Sequence, residues 1–540
     1  MLATQVLIIG AGPVGMISAI SLAQSGISCV LIDKRLERSD APKAHAVNPR
    51  TLEICDRLGI SAEEIRASGS RIAEGGKVHF VDVLAGTCFG DLPYERQDDG
   101  AREFTPWPLV NIPQPRFEQF LSAHLNRCSG ISLLRGAVAS AVNEQDDGVV
   151  ATLIGAGLQT PVEIKADYVI AADGANSSTR DQLGIGMTGP EALQHNMMIH
   201  FEADLRSITS DHPGLLYFCM SPTARGAFIG YERAHTWVFM QSYDPNTQSR
   251  EDFDDETCRG FVEAAAGTSI ADLKIRNVSP WTMSAQVANS YRKGRVFLVG
   301  DAAHRFPPTG GLGLNTGIAD AQNLTWKLAK VLEGHAGQGL LNTYEAERRP
   351  VAEINSQQSV ANAAKLMHLF SAVYGLESSK TLEHYAAVCA DPHAFPAVGE
   401  AVEIQRPHFD SFNLQLGYRY GHAVNPETLD ISRYVPAFEL GDYLPLVCLQ
   451  DGGWLLGLLA NDAFALVTGP AGESWANDLV TTFIEGVDFR PAKAYAERAG
   501  LQPNGALLLR PDGHICARWN EAPQDPSTEI TQALARALAG

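Results

Sequence analysis

Short apolar runs alternate with helical periodicity along the first part of the chain. Residues 5–9 are β-branched and predict a strand. Helical spacing then runs from Pro13 to Gln24, Gly26 stops it, and an apolar strand over 28–32 ends at Asp33. Residues 166–172 and 295–299 predict two more buried strands, each running into a glycine-bearing turn, and residues 314–332 predict a long amphipathic helix. Between them, over 181–280, the pattern becomes that of an antiparallel sheet: strands at 195–205, 215–220, 225–231 and 236–242, punctuated by Pro213-Gly214 and Ser221-Pro222. Alternation lets the second of these turn either Tyr217 and Cys219 or Phe218 and Met220 inward. Past residue 365 a helical stretch reaches about 391, followed by a Pro- and His-containing linker. Beyond Gly441 the pattern predicts strands at 444–449, 453–458 and 463–467 and a helix near 474–484. It closes on a hairpin of 505–510 and 514–519 about Pro511-Asp512-Gly513, and a last helix over 527–539.

At 540 residues the chain is too long for one core, so about two to four domains are expected. Its formal charge of −20, with no basic stripe, argues against nucleic acid. The nine cysteines are scattered without a Cys-x-x-Cys pair, which predicts reduced thiols rather than disulfides or zinc, and no metal. The apolar stretch 5–32 is broken by Gly10, Gly12, Pro13 and Gly15 and has no basic segment before it, so it reads neither as a signal peptide nor as a membrane span. A soluble cytoplasmic protein is expected.

Three glycine-bearing turns carry the chemistry. Gly10-Ala11-Gly12-Pro13-Val14-Gly15 completes a strand–loop–helix–strand–acid unit. Gly10 permits the tight turn, Gly12 the approach of a diphosphate to backbone, and Gly15 close helix–strand packing, while Asp33 suits adenosine ribose hydroxyls. This unit alone leaves FAD and NAD both open. The second turn is Asp173-Gly174-Ala175-Asn176-Ser177-Ser178-Thr179-Arg180, with a serine to cap the following helix. The third is Gly300-Asp301-Ala302-Ala303-His304 with Pro307-Pro308-Thr309-Gly310-Gly311-Leu312-Gly313-Leu314-Asn315, which brings backbone close to a flat ligand and aims a helix N-terminus at it.

In this order and at these separations the three motifs resemble the group A flavin-dependent monooxygenases, the aromatic hydroxylases that include para-hydroxybenzoate, phenol and polyketide-tailoring hydroxylases. Arg50-Thr51-Leu52-Glu53, Gln114, Trp326-Lys327-Leu328 and Tyr344-Glu345-Ala346-Glu347-Arg348-Arg349-Pro350 agree with it. The likeness covers residues 5–365 well and the remainder more loosely. Lys43 stands where many relatives have Arg, and Gly-Gly-Leu-Gly-Leu-Asn replaces Gly-Gly-Gln-Gly-Met-Asn.

The resemblance implies a mixed α/β fold: a Rossmann-like FAD-binding domain at 1–180 and 281–391, with part of 70–110 joining the substrate domain, an inserted antiparallel substrate domain at 181–280, and a thioredoxin-like C-terminal domain at 410–540. It implies FAD, with NADPH or NADH as a transient reductant, and hydroxylation of a small phenolic or electron-rich aromatic with O2 through a flavin C4a-hydroperoxide. Expected FAD contacts are Gly10, Gly12, Pro13, Gly15, Asp33, Lys34, Lys43, Gln114, Asp173, Arg180, Asp301, Pro308, Gly311, Gly313, Leu314 and Asn315. Backbone N–H groups at Gly313–Asn315 and the helix dipole suit the negative charge of reduced flavin. His45 is the candidate base, ahead of His304, and Tyr217, Arg225 and Tyr231 are candidate substrate contacts. A homodimer is left open. Epoxidation, Baeyer–Villiger oxidation, dehydrogenation and a non-catalytic ligand-binding role remain as alternatives on the same fold.

Overall fold

A computed structural model describes residues 2–375, 381–426 and 428–540. Its first sheet has the strand order Arg292–Lys293, Val296–Leu298, Val162–Ala171, Leu2–Ile9, Cys29–Asp33, Ile131–Arg135. From Val296–Leu298 to Ile131–Arg135 the pairs are parallel. Such strands are covered on both faces, which is why Val6, Leu7 and Ile8 are all fully buried in an unbroken apolar run. A hairpin of Val138–Gln145 and Gly148–Ile154 extends antiparallel from Val162–Ala171.

Register explains why motifs so distant in sequence act together. Ile9 pairs with Ala171 and with Ile32, and Ala171 pairs with Leu298. Gly10, Asp33, Asp173 and Asp301 therefore leave the sheet side by side at its carboxyl edge, with adjacent strands about 4.8 Å apart, where open α/β sheets hold their ligands.

The second sheet runs Lys274–Met283, Gln194–Glu202, Thr236–Ser242, Gly226–Glu232, Leu216–Cys219, Lys77–Val81, Cys88–Pro93. The last two strands lie within the 70–110 stretch. All its pairs are antiparallel except Leu216–Cys219 with Lys77–Val81. Both faces are covered. Helix Asp255–Ala266 packs with Tyr217, Cys219, Phe228, Trp237 and Phe239 on one side, whereas Leu216, Ile229, Tyr231, Val238, Val78 and Phe80 cluster with Ala46, Tyr94 and Leu109 on the other.

The tail forms a four-stranded sheet, Thr481–Ile484, Ala465–Thr468, Ala506–Leu509, Ile515–Trp519, ending in helix Pro526–Ala539. Three expectations fail here. Residues 444–449 make isolated bridges rather than a strand, Leu455–Leu458 is a helical turn, and the helix near 474–484 is a short 3-10 turn, Glu473–Trp475, followed by strand Thr481–Ile484. Asn477 breaks the helical pattern: its side-chain oxygen accepts from the backbone N–H of Leu479 (2.7 Å) and Val480 (3.0 Å), and the β-branched run behind it pairs in parallel with Ala465–Thr468. The helical stretch expected to reach 391 is present as Thr343–Tyr374 and Thr381–Ala390, while residues 376–380 lie outside the described residues.

All nine cysteines are free. Among the described residues no helix is long and apolar enough to cross a membrane.

Candidate functional site

At the first motif the three glycines divide by what surrounds them. A side chain at Gly10 would collide with the Ala172 carbonyl, and one at Gly15 with the Gly10 carbonyl, whereas nothing lies within 4 Å of the position at Gly12. Gly12 caps helix Pro13–Gln24 without a side-chain hydrogen bond, and no acid stands in its first turn. The helix thus presents free N–H groups to open space, as a diphosphate requires. Each Asp33 oxygen accepts one backbone hydrogen bond, from Ala11 (3.0 Å) and Arg35 (2.8 Å), which leaves lone pairs on both. Lys34 beside it is exposed.

The third motif repeats the arrangement. Gly311, at φ 62°, caps helix Leu312–Leu332 without a side-chain bond, and the space beside Gly313 is again empty to 4 Å. Asp301 is solvent-accessible, yet desolvation pushes its carboxyl above the usual range, against the pull of His304, Lys43 and Arg305. Lys43 shows the same pairing: an exposed ammonium lowered by desolvation and by Arg35, and raised by Glu118 and Asp301. Each of these two charges pulls on the other, so the Lys43 ammonium and the Asp301 carboxylate lie close together. Pro308 is exposed beside them. Open room at Gly12 and Gly313, two uncapped helix N-termini and the Asp33 and Asp301 carboxylates fit an extended FAD along the sheet edge.

Other expected FAD contacts spend their side chains on protein. Asn315 accepts from the Asn48 N–H (3.0 Å) and the Thr51 hydroxyl (2.7 Å) and donates to the carbonyls of Ala46 (2.9 Å) and Gly311 (2.7 Å). Its amide therefore ties segment 46–51 to the start of the helix. The Asp173 carboxylate accepts from Ser177 and Thr179, and Arg180 donates to the carbonyls of Ala175 (3.2 Å) and Ala302 (3.3 Å), clamping the second motif to the third. Gln114 accepts from the Ala44 N–H (3.3 Å) and donates to Glu118 (2.7 Å), which holds the Lys43 segment.

Beyond the third motif lies His45. Its Nδ1 is 3.0 Å from Asn111 Oδ1, and Asn111 in turn donates through Nδ2 to the Gly75 carbonyl at 3.1 Å. That second bond fixes the amide so that Oδ1 accepts, and His45 Nδ1 must then carry the proton. Its Nε2 keeps the lone pair. Burial lowers the pKa of the ring, against the raising effect of the Asn111 bond, and so favours the neutral base. The rings of Tyr94 and Tyr231 stand 5.5 and 5.9 Å away, and the Tyr231 hydroxyl donates to the Lys43 carbonyl (2.6 Å). A side chain at Gly311 would meet the Tyr94 hydroxyl at 3.5 Å, so this aromatic group borders the third motif directly.

His304 has no such opening. It is fully buried, bonded through Nε2 to Asp320 (2.8 Å) and stacked on Phe306. Burial would raise the Asp320 carboxyl, but Arg348 and His304 hold it below the usual range. This network braces the loop from beneath, and the Gly300 N–H joins it (3.2 Å). Tyr217 is a correction: it faces helix Asp255–Ala266, away from His45, and its hydroxyl donates to the His212 carbonyl (2.8 Å). Arg225 donates to the Tyr374 hydroxyl (3.1 Å) and lies over the Tyr374 ring, packed on the end of the long helix Thr343–Tyr374. Tyr94 and Asn111 escape sequence reasoning. The one available signal was a polar Asn inside the apolar run 109–112.

Residues 3–359 match the family described as "FAD binding domain", and residues 439–540 match "Aromatic-ring hydroxylase, C-terminal". Over 99% of this chain and 96% of its own, a tetracenomycin A2 monooxygenase-dioxygenase of Streptomyces glaucescens is 31% identical. A 2,4-dichlorophenol 6-monooxygenase of Delftia acidovorans is 30% identical over 99% and 98%. Among solved structures, the flavin-dependent monooxygenase PieE in complex with FAD and substrate superposes with a TM-score of 0.90 at 28% identity, covering 99% of each chain.

Proposed function

The chain belongs to the FAD-binding-domain family of aromatic-ring hydroxylases, and from that premise we propose that it hydroxylates a phenolic ring with His45 as the base that ionises the phenol. Bound FAD, reduced by NAD(P)H, supplies the activated oxygen taken from O2. The protein's own residues perform the rest. Asn111 holds the His45 tautomer, leaving Nε2 to accept the phenolic proton, and loss of that proton enriches the ring carbons in electrons for electrophilic attack. Tyr94 and Tyr231 wall the ring space, and Tyr231 also fixes the Lys43 segment. The N-terminus of Leu312–Leu332 offers N–H groups to the negative charge of the reduced cofactor, and the loop with Pro307 and Pro308 limits water on that face.

The observation that carries this reading is the fixed His45 tautomer beside the Gly311 loop. The names of the relatives support a substrate between a single-ring phenol and a fused polyketide phenol. The test is a panel of both classes added to purified FAD-loaded protein, following NAD(P)H oxidation. Phenols should accelerate it while their O-methyl ethers, which have no proton to lose, should not. Equal stimulation by both, or by neither, would reject the base assignment.

A further inference from the structure

We propose that His79, Cys88 and His212 bind a zinc-class divalent cation on the face of the second sheet turned away from His45. One ligand atom from each of the three residues lies within 4.8 Å of the other two. Sequence spacing conceals the group, because it joins strands Lys77–Val81 and Cys88–Pro93 to the loop before Leu216–Cys219.

The state of His79 is the decisive observation. Its Nε2 is 3.1 Å from the Pro213 carbonyl, and a carbonyl only accepts, so Nε2 carries the proton. Nδ1 then keeps a lone pair, yet it is buried with no hydrogen-bond partner, in a residue only 2% exposed. A neutral imidazole whose other nitrogen donates to a backbone carbonyl is the form that ligates metals. Tyr217 stacks on this ring at 5.2 Å, while its hydroxyl donates to the His212 carbonyl at 2.8 Å, so one tyrosine steadies two of the three residues. Cys88 and His212 are half-buried, which leaves the site reachable and a fourth position open to water. Two imidazoles and a thiolate suit zinc, and binding would convert the Cys88 thiol to thiolate with release of one proton.

The test uses the full-length FAD-loaded enzyme, stripped with chelator and titrated with Co2+ against the unloaded holoenzyme as blank. One equivalent per chain should bind with a thiolate-to-cobalt charge-transfer band, and Zn2+ should displace it. Cys88→Ser should abolish the band and His212→Ala should weaken binding at least tenfold, both with FAD content unchanged. If Cys88→Ser loses FAD, His212→Ala alone provides the comparison. Absence of stoichiometric binding, or an unchanged spectrum and affinity in the variants, would overturn the proposal.

Discussion

Replacing His45 with Ala removes the Nε2 lone pair and leaves the phenolic proton to water. A positioned base contributes about 10²–10⁴-fold, which corresponds to about 3–5 kcal/mol of barrier at about 1.4 kcal/mol per decade. The groups around the ring confine the damage: Asn111 loses one hydrogen bond, about 1 kcal/mol, whereas Gly12, Asp33, Gly313 and Asp301 are untouched. His45→Ala should therefore retain FAD while product formation from a phenol falls by two or more decades at pH 7. The pH profile sharpens the test. Because burial holds the His45 pKa below its ordinary 6.5, wild-type hydroxylation should reach its plateau by about that pH. The variant should recover only as pH approaches the phenol's own ionisation, near about 10 for an unsubstituted ring. Rapid-quench product analysis at several pH values measures both. A variant with bound FAD that hydroxylates at the wild-type rate at pH 7, or one that alkaline pH does not rescue, would refute the assignment.

Four further outcomes follow from the structure. Asn111→Asp places a carboxylate beside His45 Nδ1 and favours the charged ring, so the rising limb of the pH profile should move alkaline by about 1–3 units, and an unmoved limb would separate His45 from catalysis. Gly12→Val enters open space, and should abolish FAD binding while leaving the apoprotein folded. Gly15→Ala meets the Gly10 carbonyl and should fail to give folded protein, with flavin content and circular dichroism distinguishing the two. Glu95 adjoins Tyr94 at φ 51°, and burial raises its carboxyl to about 7 against hydrogen bonds from Ser411 and Gln415. Between pH 4.5 and 7 the folded state then binds more protons than the unfolded one, so this residue lowers stability as pH rises, by up to about 3 kcal/mol above pH 7. Glu95→Gln should flatten that slope in melting temperature, and curves that stay parallel from pH 5 to 8 would disprove it.

Much of the cofactor edge was legible in the sequence because glycine turns after apolar strands report backbone demands that few other residues meet. The strands ending at Gly10, Asp33, Asp173 and Asp301 form as expected, and parallel register brings them together. Roles within the motifs were less legible. Asn315, by its backbone N–H, and Asp173 and Arg180 were expected at FAD; the side chains of Asn315 and Arg180 bond Thr51 and Ala302, more than a hundred residues away, while the Asp173 carboxylate bonds Ser177 and Thr179 close by. The orientation of Tyr217 was undecidable because the second sheet is covered on both faces, so both sets of alternating residues are apolar. Tyr94 carries no local signature and Asn111 only its polar place in an apolar run, since each gains its meaning only when its segment folds against His45. In the tail, the spacing of Trp475, Leu479, Val480 and Phe483 mimicked a helix until the Asn477 turn broke it.

The most direct test of the account is one turnover of the NAD(P)H-reduced, FAD-loaded protein with a stimulating phenol under 18O2, analysed by mass spectrometry. A ring-hydroxylated product carrying one 18O atom is expected, formed in wild type and at least a hundredfold more slowly in His45→Ala with FAD still bound. Reduced protein that consumes 18O2 and returns every phenol unlabelled would contradict it.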